Sequence, residues 1–308
     1  MQVIATSDEM MKADPVSSFR RDRASPFEIN GLVSARRVYN SQWRNAYGQL
    51  EAFSKEFLAL FPHWGRGYPW PPDPLRCWFR PFEYPYVLHN LPTLEDGRSR
   101  VVADIGSAVT FFPLLLSQQG YLLKCVDSDP RMKEFWRRLK ACIPGKWAEC
   151  ASRIEYGISG EFVLPFGTEE VDAVTCISVL EHVSDPPRLM REILRILKPG
   201  GVLILTMDIS LESNQGISAE YLNEICNLLE ADCAPAHPIE LVHPQELLVF
   251  PGSPRGLVPA PWDPPRSLSD RVVGRLEWRY ECLRKGRPSP RSLCLFVGTY
   301  LKGGALVR

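Results

Sequence analysis

From Arg100 onwards the chain alternates between short, almost continuously apolar runs and longer stretches with apolar residues on one helical face. The apolar runs predict strands at residues 101–105, 121–127, 153–158, 171–178 and 201–208. The stretches between them predict helices at about 108–119, 129–143 and 185–198. Apolar strands separated by amphipathic helices are typical of a parallel sheet covered on both faces, so the pattern predicts an α/β fold.

The segments on either side of this alternation have different patterns. Residues 1–30 are polar, whereas residues 33–61 carry apolar side chains at steps of three to five, which predicts a helix. Residues 61–92 are rich in proline and aromatic side chains and are predicted to be irregular, because proline fixes φ and lacks an N–H donor. After residue 210 we expect a helix at about 217–231, a proline-rich insertion, and strands at 276–282 and 292–302.

These changes of pattern divide the chain into four parts. They are an N-terminal helical and aromatic cap that contributes to a substrate pocket (1–97), a ligand-binding core (98–231), an insertion or lid (232–275), and terminal strands that complete the sheet (276–308).

Composition and charge exclude some classes of partner. The 308 residues carry 36 Lys plus Arg and 36 Asp plus Glu, so no net field favours nucleic acid or an anionic membrane. The balance is not uniform, because no Lys or Arg occurs between Lys198 and Arg255. This segment is either an ordinary solvated acidic face or an acidic wall near the active site that would suit an amine-bearing substrate.

The nine cysteines show no CxxC spacing and no Cys/His run that could hold zinc, so no metal site is predicted. Cys125 and Cys176 lie inside apolar runs, where a free cysteine behaves as a small hydrophobic residue. The N-terminus has no apolar segment of signal-peptide length, and no run approaches membrane-spanning length. We therefore expect a soluble protein of the reducing cytoplasm.

The first strand of the core leads into "VADIGSAVTFFP", which resembles a cofactor loop with few glycines. In a doubly wound sheet the ligand lies beyond the carboxyl ends of the strands, which places Asp104 and Gly106 beside it. Asp127, 21 residues after Gly106, ends the next strand and can accept hydrogen bonds from ribose hydroxyls. A dinucleotide loop would need further glycines, but Ala108 and Phe111 stand there. A nucleoside without a pyrophosphate fits better.

The ordered series "VVADIGS", "CVDSDP", "LPF…VDAVTCISVLEHV" and "LKPGGVLIL" is similar to the class I S-adenosylmethionine-dependent methyltransferases, in particular their small-molecule, ubiquinone-biosynthesis-like branch. The resemblance covers about residues 98–210, and "SLCLFVGTYLK" is similar to the family's terminal antiparallel strand. It implies a Rossmann-like, doubly wound, mostly parallel sheet with an antiparallel last strand. It also implies S-adenosylmethionine as the cofactor.

The resemblance further implies which residues contact the cofactor. Those near its methionine part and ribose are Asp104, Gly106, Ser107, Asp127 and Ser128. Those near its adenine are Ser159, Gly160 and Glu161. Ile177 and Ser178 end the fourth core strand beside it, and Arg80 is a candidate partner for its carboxylate.

Methyl transfer needs a base only where the acceptor must lose a proton. His182, just past the fourth core strand, is a candidate base; alternatively it packs or caps the loop. Tyr84 and Tyr86 alternate in a segment predicted to be extended, so they are expected to point the same way and to relay a proton towards His182. The alternative is a hydrophobic plug. Trp78 and His243 are candidate substrate contacts.

We therefore expect a cytoplasmic methyltransferase acting on a small aromatic, indole- or phenol-like molecule of specialised metabolism, at carbon, nitrogen or oxygen. The protein is expected to be a monomer or homodimer that binds neither nucleic acid nor membrane. Two alternatives stay open: a nicotinamide-dependent oxidoreductase, and a non-catalytic cofactor-binding or interaction protein.

Overall fold

The strands of the molecule form one large mixed sheet in a computed structural model that describes residues 25–61, 75, 79–210, 216–243, 246–250 and 293–303. Its strands are β1 (Asn30–Leu32), β2 (Val101–Ile105), β3 (Leu122–Asp127), β4 (Ile154–Ile158), β5 (Val171–Ile177), β6 (Leu197–Ser210), β7 (Cys233–Pro235), β8 (Ile239–Glu240), β9 (Val249–Phe250) and β10 (Leu293–Lys302). The order across the sheet is β4-β3-β2-β5-β6-β10-β1-β8, and β7 and β9 also pair with β10.

The helices are α1 (Ser41–Leu60), α2 (Arg80–Asn90), α3 (Phe112–Gln118), α4 (Pro130–Cys142), α5 (Lys146–Ser152), α6 (Pro186–Ile196) and α7 (Ala219–Asp232). The 3-10 turns at Ala35–Tyr39 and Leu180–His182 accompany them. No helix within these described ranges is both long and apolar enough to cross a membrane.

Strands β2 to β6 are mutually parallel, and β10 runs antiparallel to β6. The β6–β10 pairing extends from Leu293 opposite Ser210 to Leu301 opposite Val202. One apolar cluster packs the five helices α1 through α5 against the sheet, and a second packs α6 and α7 against it. The predicted α/β fold, a doubly wound and mostly parallel sheet with an antiparallel last strand, is confirmed.

Most of the predicted core elements appear within a few residues of their expected bounds. Helix α6 begins as its sequence indicates: Asp185 accepts from the Arg188 N–H at 3.1 Å, and Pro186 occupies the first turn. It ends at Ile196, two residues before the expected end at 198, because β6 already begins at Leu197. The strand expected at 276–282 lies outside the described residues.

The segment "RPFEYPYVLHN" was predicted to be irregular and extended, and this prediction is wrong: Arg80–Asn90 is helix α2. Pro81 lies in the first turn, where its missing N–H is not needed. Pro85 lies inside the helix and leaves the carbonyl of Pro81, four residues earlier, without its helical donor. The indole Nε1 of Trp43 on α1 donates to that carbonyl at 2.9 Å. A tertiary contact thus satisfies the acceptor that proline leaves open.

Candidate active site

The loop after β2 passes close under the end of β5. Gly106 has φ +64°, and a Cβ placed there would lie 2.5 Å from Cγ2 of Val179. Both the left-handed backbone and the close approach therefore require glycine at this position. Ser107 follows, buried, with its N–H donating to the carbonyl of Val126 on β3 at 3.1 Å. The loop is thereby held at the carboxyl edge of the parallel strands.

Ala108 occupies the position where the sequence lacks a loop glycine, yet it has φ +47°. A non-glycine residue in this conformation costs about 1–2 kcal/mol. Two hydrogen bonds hold it: the Ala108 N–H donates to Asp127 Oδ2 at 3.0 Å, and the Tyr156 hydroxyl donates to the Ala108 carbonyl at 2.7 Å. The loop therefore keeps a glycine-like backbone. The methyl group of Ala108 occupies the space that a glycine would leave open in a pyrophosphate-binding loop.

Asp127 lies half-buried at the end of β3. Its second oxygen accepts from the Asp129 N–H at 2.9 Å. Burial raises the pKa of the Asp127 carboxyl, although the backbone hydrogen bonds act to lower it. Each carboxylate oxygen has two acceptor sites, so Asp127 can still accept from a ribose hydroxyl. Asp129 itself caps α4 by accepting from the Arg131 N–H at 2.9 Å, and Ser128 between them is exposed.

The residues expected near adenine follow β4, next to Asp127. The Ser159 N–H donates to the Asp127 carbonyl at 3.0 Å, and the Gly160 N–H donates to Val163 at 3.1 Å in a tight turn. Glu161 is exposed, and its Oε1 accepts from the Ser184 N–H at 2.6 Å. This turn borders the same strand-end edge as the β2 loop. The left-handed glycine, the acceptor at the ribose position and this bordering turn fit a nucleoside cofactor.

Asp104 is buried near the end of β2. Thr175 Oγ1 on β5 donates to its carboxylate at 2.7 Å. Burial raises the pKa of Asp104 to about 6, although this hydrogen bond favours the ionised form. Asp104 is thus a buried carboxyl group below the loop whose pKa is shifted by its surroundings, a feature common at functional sites.

Tyr84 and Tyr86 do not point the same way, because residues two apart on a helix are turned by about 200°. The Tyr86 hydroxyl donates to the Ile29 carbonyl at 2.8 Å and lies 2.9 Å from Thr299 Oγ1, so it joins α2 to β1 and β10. Tyr84 stacks on Phe112 with ring centroids 4.2 Å apart, and its hydroxyl bonds to Thr110 beside the β2 loop. Burial raises its pKa to about 12. The expectation that the two side chains point the same way is therefore wrong, whereas the proton relay itself stays a prediction.

A buried polar cluster that the sequence analysis did not identify joins α2 to the strand ends. Glu83 is fully buried, and its Oε1 accepts from Ser178 Oγ and Thr206 Oγ1, each at 2.6 Å. Its other oxygen pairs with Arg80, whose guanidinium also lies 5.9 Å from the centre of the Tyr84 ring. Burial acts to lower the pKa of Arg80, whereas Glu83 and other neighbouring groups act to raise it. The net result is a raised pKa. Arg80 therefore already has an anionic partner within the protein.

Ser178 lies just after Ile177, the last residue of β5, and has the left-handed φ of +48°. Its N–H donates to the Thr206 carbonyl at 3.0 Å. Backbone strain of this kind is found where surrounding contacts enforce it, commonly at functional sites. The only sequence signal for the cluster was the Arg80–Glu83 spacing of three residues, which places both side chains on one helical face.

His182 ends the 3-10 turn that follows β5, and its N–H donates to Val179 at 2.9 Å. The ring is exposed, yet the surrounding protein and then the Arg80 cation lower its pKa below the usual value. His243 is exposed three residues after the edge strand β8, on the opposite edge of the sheet from β4. Trp78, the other expected substrate contact, lies outside the described residues.

Residues 103–205, which contain the loop, Asp127 and His182, match the family model described as a methyltransferase domain. The chain contains a class I S-adenosylmethionine-dependent methyltransferase domain. The domain class and its cofactor were predicted from the ordered motifs, and both are confirmed. The match also favours this class over the nicotinamide-dependent alternative.

Relatives agree with this assignment over part of their length. The chain is 33% identical over 124 residues to an uncharacterized methyltransferase of Mycobacterium sp. (strain KMS), covering 40% of this chain and 45% of the relative. It is 30% identical over 173 residues to the ubiquinone biosynthesis O-methyltransferase of Xanthomonas oryzae pv. oryzae (strain PXO99A), covering 54% of this chain and 65% of the relative. The chain thus spans less than half the length of the mycobacterial relative.

Among solved structures, the chain is similar to a SAM-dependent methyltransferase from Aquifex aeolicus. The TM-score is 0.40 at 20% identity, covering 52% of this chain and 82% of that one.

Proposed function

We propose that this protein transfers a methyl group from S-adenosylmethionine to a small, flat acceptor of specialised metabolism. The observation that carries the proposal is the juxtaposition of the Gly106 loop, Asp127 and His182 at one edge of the sheet. Bound S-adenosylmethionine supplies an electrophilic methyl group on a sulfonium. The protein's part is to align the acceptor with that methyl group and to remove a proton from it where needed.

His182 is the proposed base. Its lowered pKa keeps the imidazole neutral at pH 7, so a ring nitrogen can take the proton of an acceptor O–H or N–H. Tyr84 is neutral at this pH, so its hydroxyl can donate or accept a hydrogen bond but does not act as a phenolate base. We therefore retain His182 from the Tyr/His relay as the proton acceptor and exclude Tyr86, because its hydroxyl is engaged with Ile29 and Thr299.

Two observations support an indole- or phenol-like acceptor. Helix α2 and the start of α3 bring the rings of Tyr84, Phe111 and Phe112 together beside the β2 loop, so the proposed site is bordered by a buried aromatic cluster. In addition, the Xanthomonas relative is named an O-methyltransferase. Oxygen is accordingly our first choice of methylated atom. From the cysteine usage we further propose that the protein is cytoplasmic, and we keep the monomer or homodimer as a separate proposal.

The first test is cofactor binding, measured by titration calorimetry with S-adenosylhomocysteine and, separately, with NADH. We expect the wild type to bind S-adenosylhomocysteine and not NADH. Asp127→Ala should weaken binding by about 10- to 100-fold, the effect of one or two lost hydrogen bonds to a charged group. Asp129→Ala is the matched control, because it removes a helix cap worth about 1 kcal/mol without touching the ribose position.

Unchanged affinity in Asp127→Ala would remove the ribose assignment. The acceptor is then sought with panels of phenols, indoles, amines and sugars, with mass detection of the methylated product. Cofactor binding without turnover on any panel would favour the non-catalytic alternative.

A further inference from the structure

Two carboxyl groups beside His182 each have a buried oxygen that accepts no hydrogen bond from the described part of the chain: Asp208 Oδ1 and Glu181 Oε2. Asp208 is only 7% exposed. Buried polar atoms almost always have a partner, so two unpartnered oxygens at one place indicate a missing donor.

The two groups lie at the same edge of the sheet as the proposed active site. Asp208 lies two residues beyond Thr206 on β6, so its side chain projects from the same face of the sheet as the hydroxyl that donates to Glu83. Glu181 lies in the turn after β5, directly before His182, and its Oε1 accepts from the Asp208 N–H at 3.4 Å. The carboxyl groups are therefore neighbours.

The described part of the chain places little positive charge beside these carboxyl groups. Among those residues Arg80 is the cation that acts on Asp208, and it is paired with Glu83. No Lys or Arg occurs between Lys198 and Arg255 in the sequence. Burial and then the neighbouring Glu83 raise the pKa of Asp208 to about 7, and burial and then Asp208 raise that of Glu181 well above its usual range. The missing donor is therefore expected to be a cation.

We propose that Asp208 and Glu181 bind a protonated amine carried by the methyl acceptor, which rests on the proposed function and specifies its substrate class. An ammonium group has three donors and no acceptor, which matches two unpartnered carboxylate oxygens. A divalent metal is the other common ligand of carboxylates, but no group of three His, Cys, Asp or Glu side chains in the described part of the chain is arranged to hold one. The acceptor is thus the proposed flat aromatic molecule carrying an ammonium group, which Asp208 and Glu181 bind.

The experiment compares probes that share a ring and a two-carbon side chain and differ in the charge of the group at its end. Protein saturated with S-adenosylhomocysteine is titrated with tyramine, 4-ethylphenol and 3-(4-hydroxyphenyl)propionate, and with tryptamine, 3-ethylindole and indole-3-propionate. We expect the amine of at least one set to bind about 10- to 100-fold more tightly than its neutral analogue, as one charge-assisted hydrogen bond implies. Asp208→Asn should abolish this preference and change the affinity for S-adenosylhomocysteine by less than about threefold.

Asp232→Asn, on the exposed end of α7, is the matched control and should keep the preference. No preference for the amine in either set would overturn the proposal, as would a preference that survives both Asp208→Asn and Glu181→Gln. Loss of S-adenosylhomocysteine affinity in Asp208→Asn would assign the carboxyl groups to the cofactor and also overturn it. Failure of the wild type to bind S-adenosylhomocysteine is a separate outcome, which would refute the proposed function and this proposal with it.

Discussion

His182 is exposed and can meet an incoming acceptor. Its pKa lies below the usual value because of the protein around it and the Arg80 cation. We expect His182→Ala to lower kcat/KM by about 10²- to 10⁴-fold, the usual contribution of a positioned base, while affinity for S-adenosylhomocysteine stays within about threefold. Because a base must be unprotonated, the acid limb of the wild-type pH profile should lie below the ordinary histidine pKa. That limb should be absent from His182→Ala.

His89→Ala is the matched control, since His89 is also exposed but lies at the far end of α2. Its pH profile should keep the acid limb. An undiminished rate in His182→Ala would reduce His182 to a residue that packs at the end of the turn.

Single residues show where a sequence is informative about a site. The positions of Gly106 and Asp127 at the strand ends were predictable because strand ends and loop spacing depend on local sequence. Ala108 was interpreted as a lost glycine, but its left-handed backbone is enforced by Asp127 and by Tyr156, 48 residues away. The Tyr86 hydroxyl is likewise engaged by Thr299, 213 residues away. Contacts over such separations leave no local pattern.

At the level of elements, Glu83 is what joins helix α2 to β5 and β6. Glu83→Gln removes the negative charge beside Arg80 and weakens two buried hydrogen bonds. Breaking a buried pair by removing one partner costs about 3–5 kcal/mol, and we expect a loss near the lower end because Asp104 and Asp208 also lie close to Arg80. Urea unfolding of the variant and the wild type measures this difference.

Two further variants separate charge from hydrogen bonding. Thr206→Val removes one donor to Glu83 and should cost about 1–2 kcal/mol. Glu149→Gln breaks the exposed Glu149–Arg153 pair on α5 and should cost less than about 1 kcal/mol. A loss in Glu83→Gln no larger than that in Glu149→Gln would show that α2 is held by apolar packing alone.

The elements of the core were predictable because hydrophobic periodicity of 2 and 3.6 reports burial directly. Helix α2 was not, because Pro81 and Pro85 argue against a helix when only local rules are applied. The indole of Trp43, on helix α1, supplies the hydrogen bond that the Pro81 carbonyl lacks within α2. The short strand β1 was also missed, since its three residues find their partners in β10 and β8, far away in sequence.

At the scale of the whole molecule, an unsatisfied buried carboxyl group makes stability depend on pH. The pKa of Asp208 is about 7 in the folded protein and 3.8 for an ordinary aspartate. Below pH 4 the group is protonated in both states. Between pH 4 and 7 the unfolded chain releases its proton while the folded protein retains it, so this group's contribution lowers stability progressively as the pH rises.

Asp208→Asn cannot ionise and should therefore be more stable than the wild type at pH 8, by about 4 kcal/mol if about three pKa units are relieved. The difference should be close to zero at pH 4, grow up to pH 7 and then stay constant, as followed by thermal unfolding across this range. Asp232→Asn, at an exposed site, should show no such trend. A stabilised variant that has also lost its preference for amines would mean that the fold gives up stability at Asp208 in exchange for binding. A variant less stable than the wild type at pH 8 would instead make Asp208 a structural residue of β6.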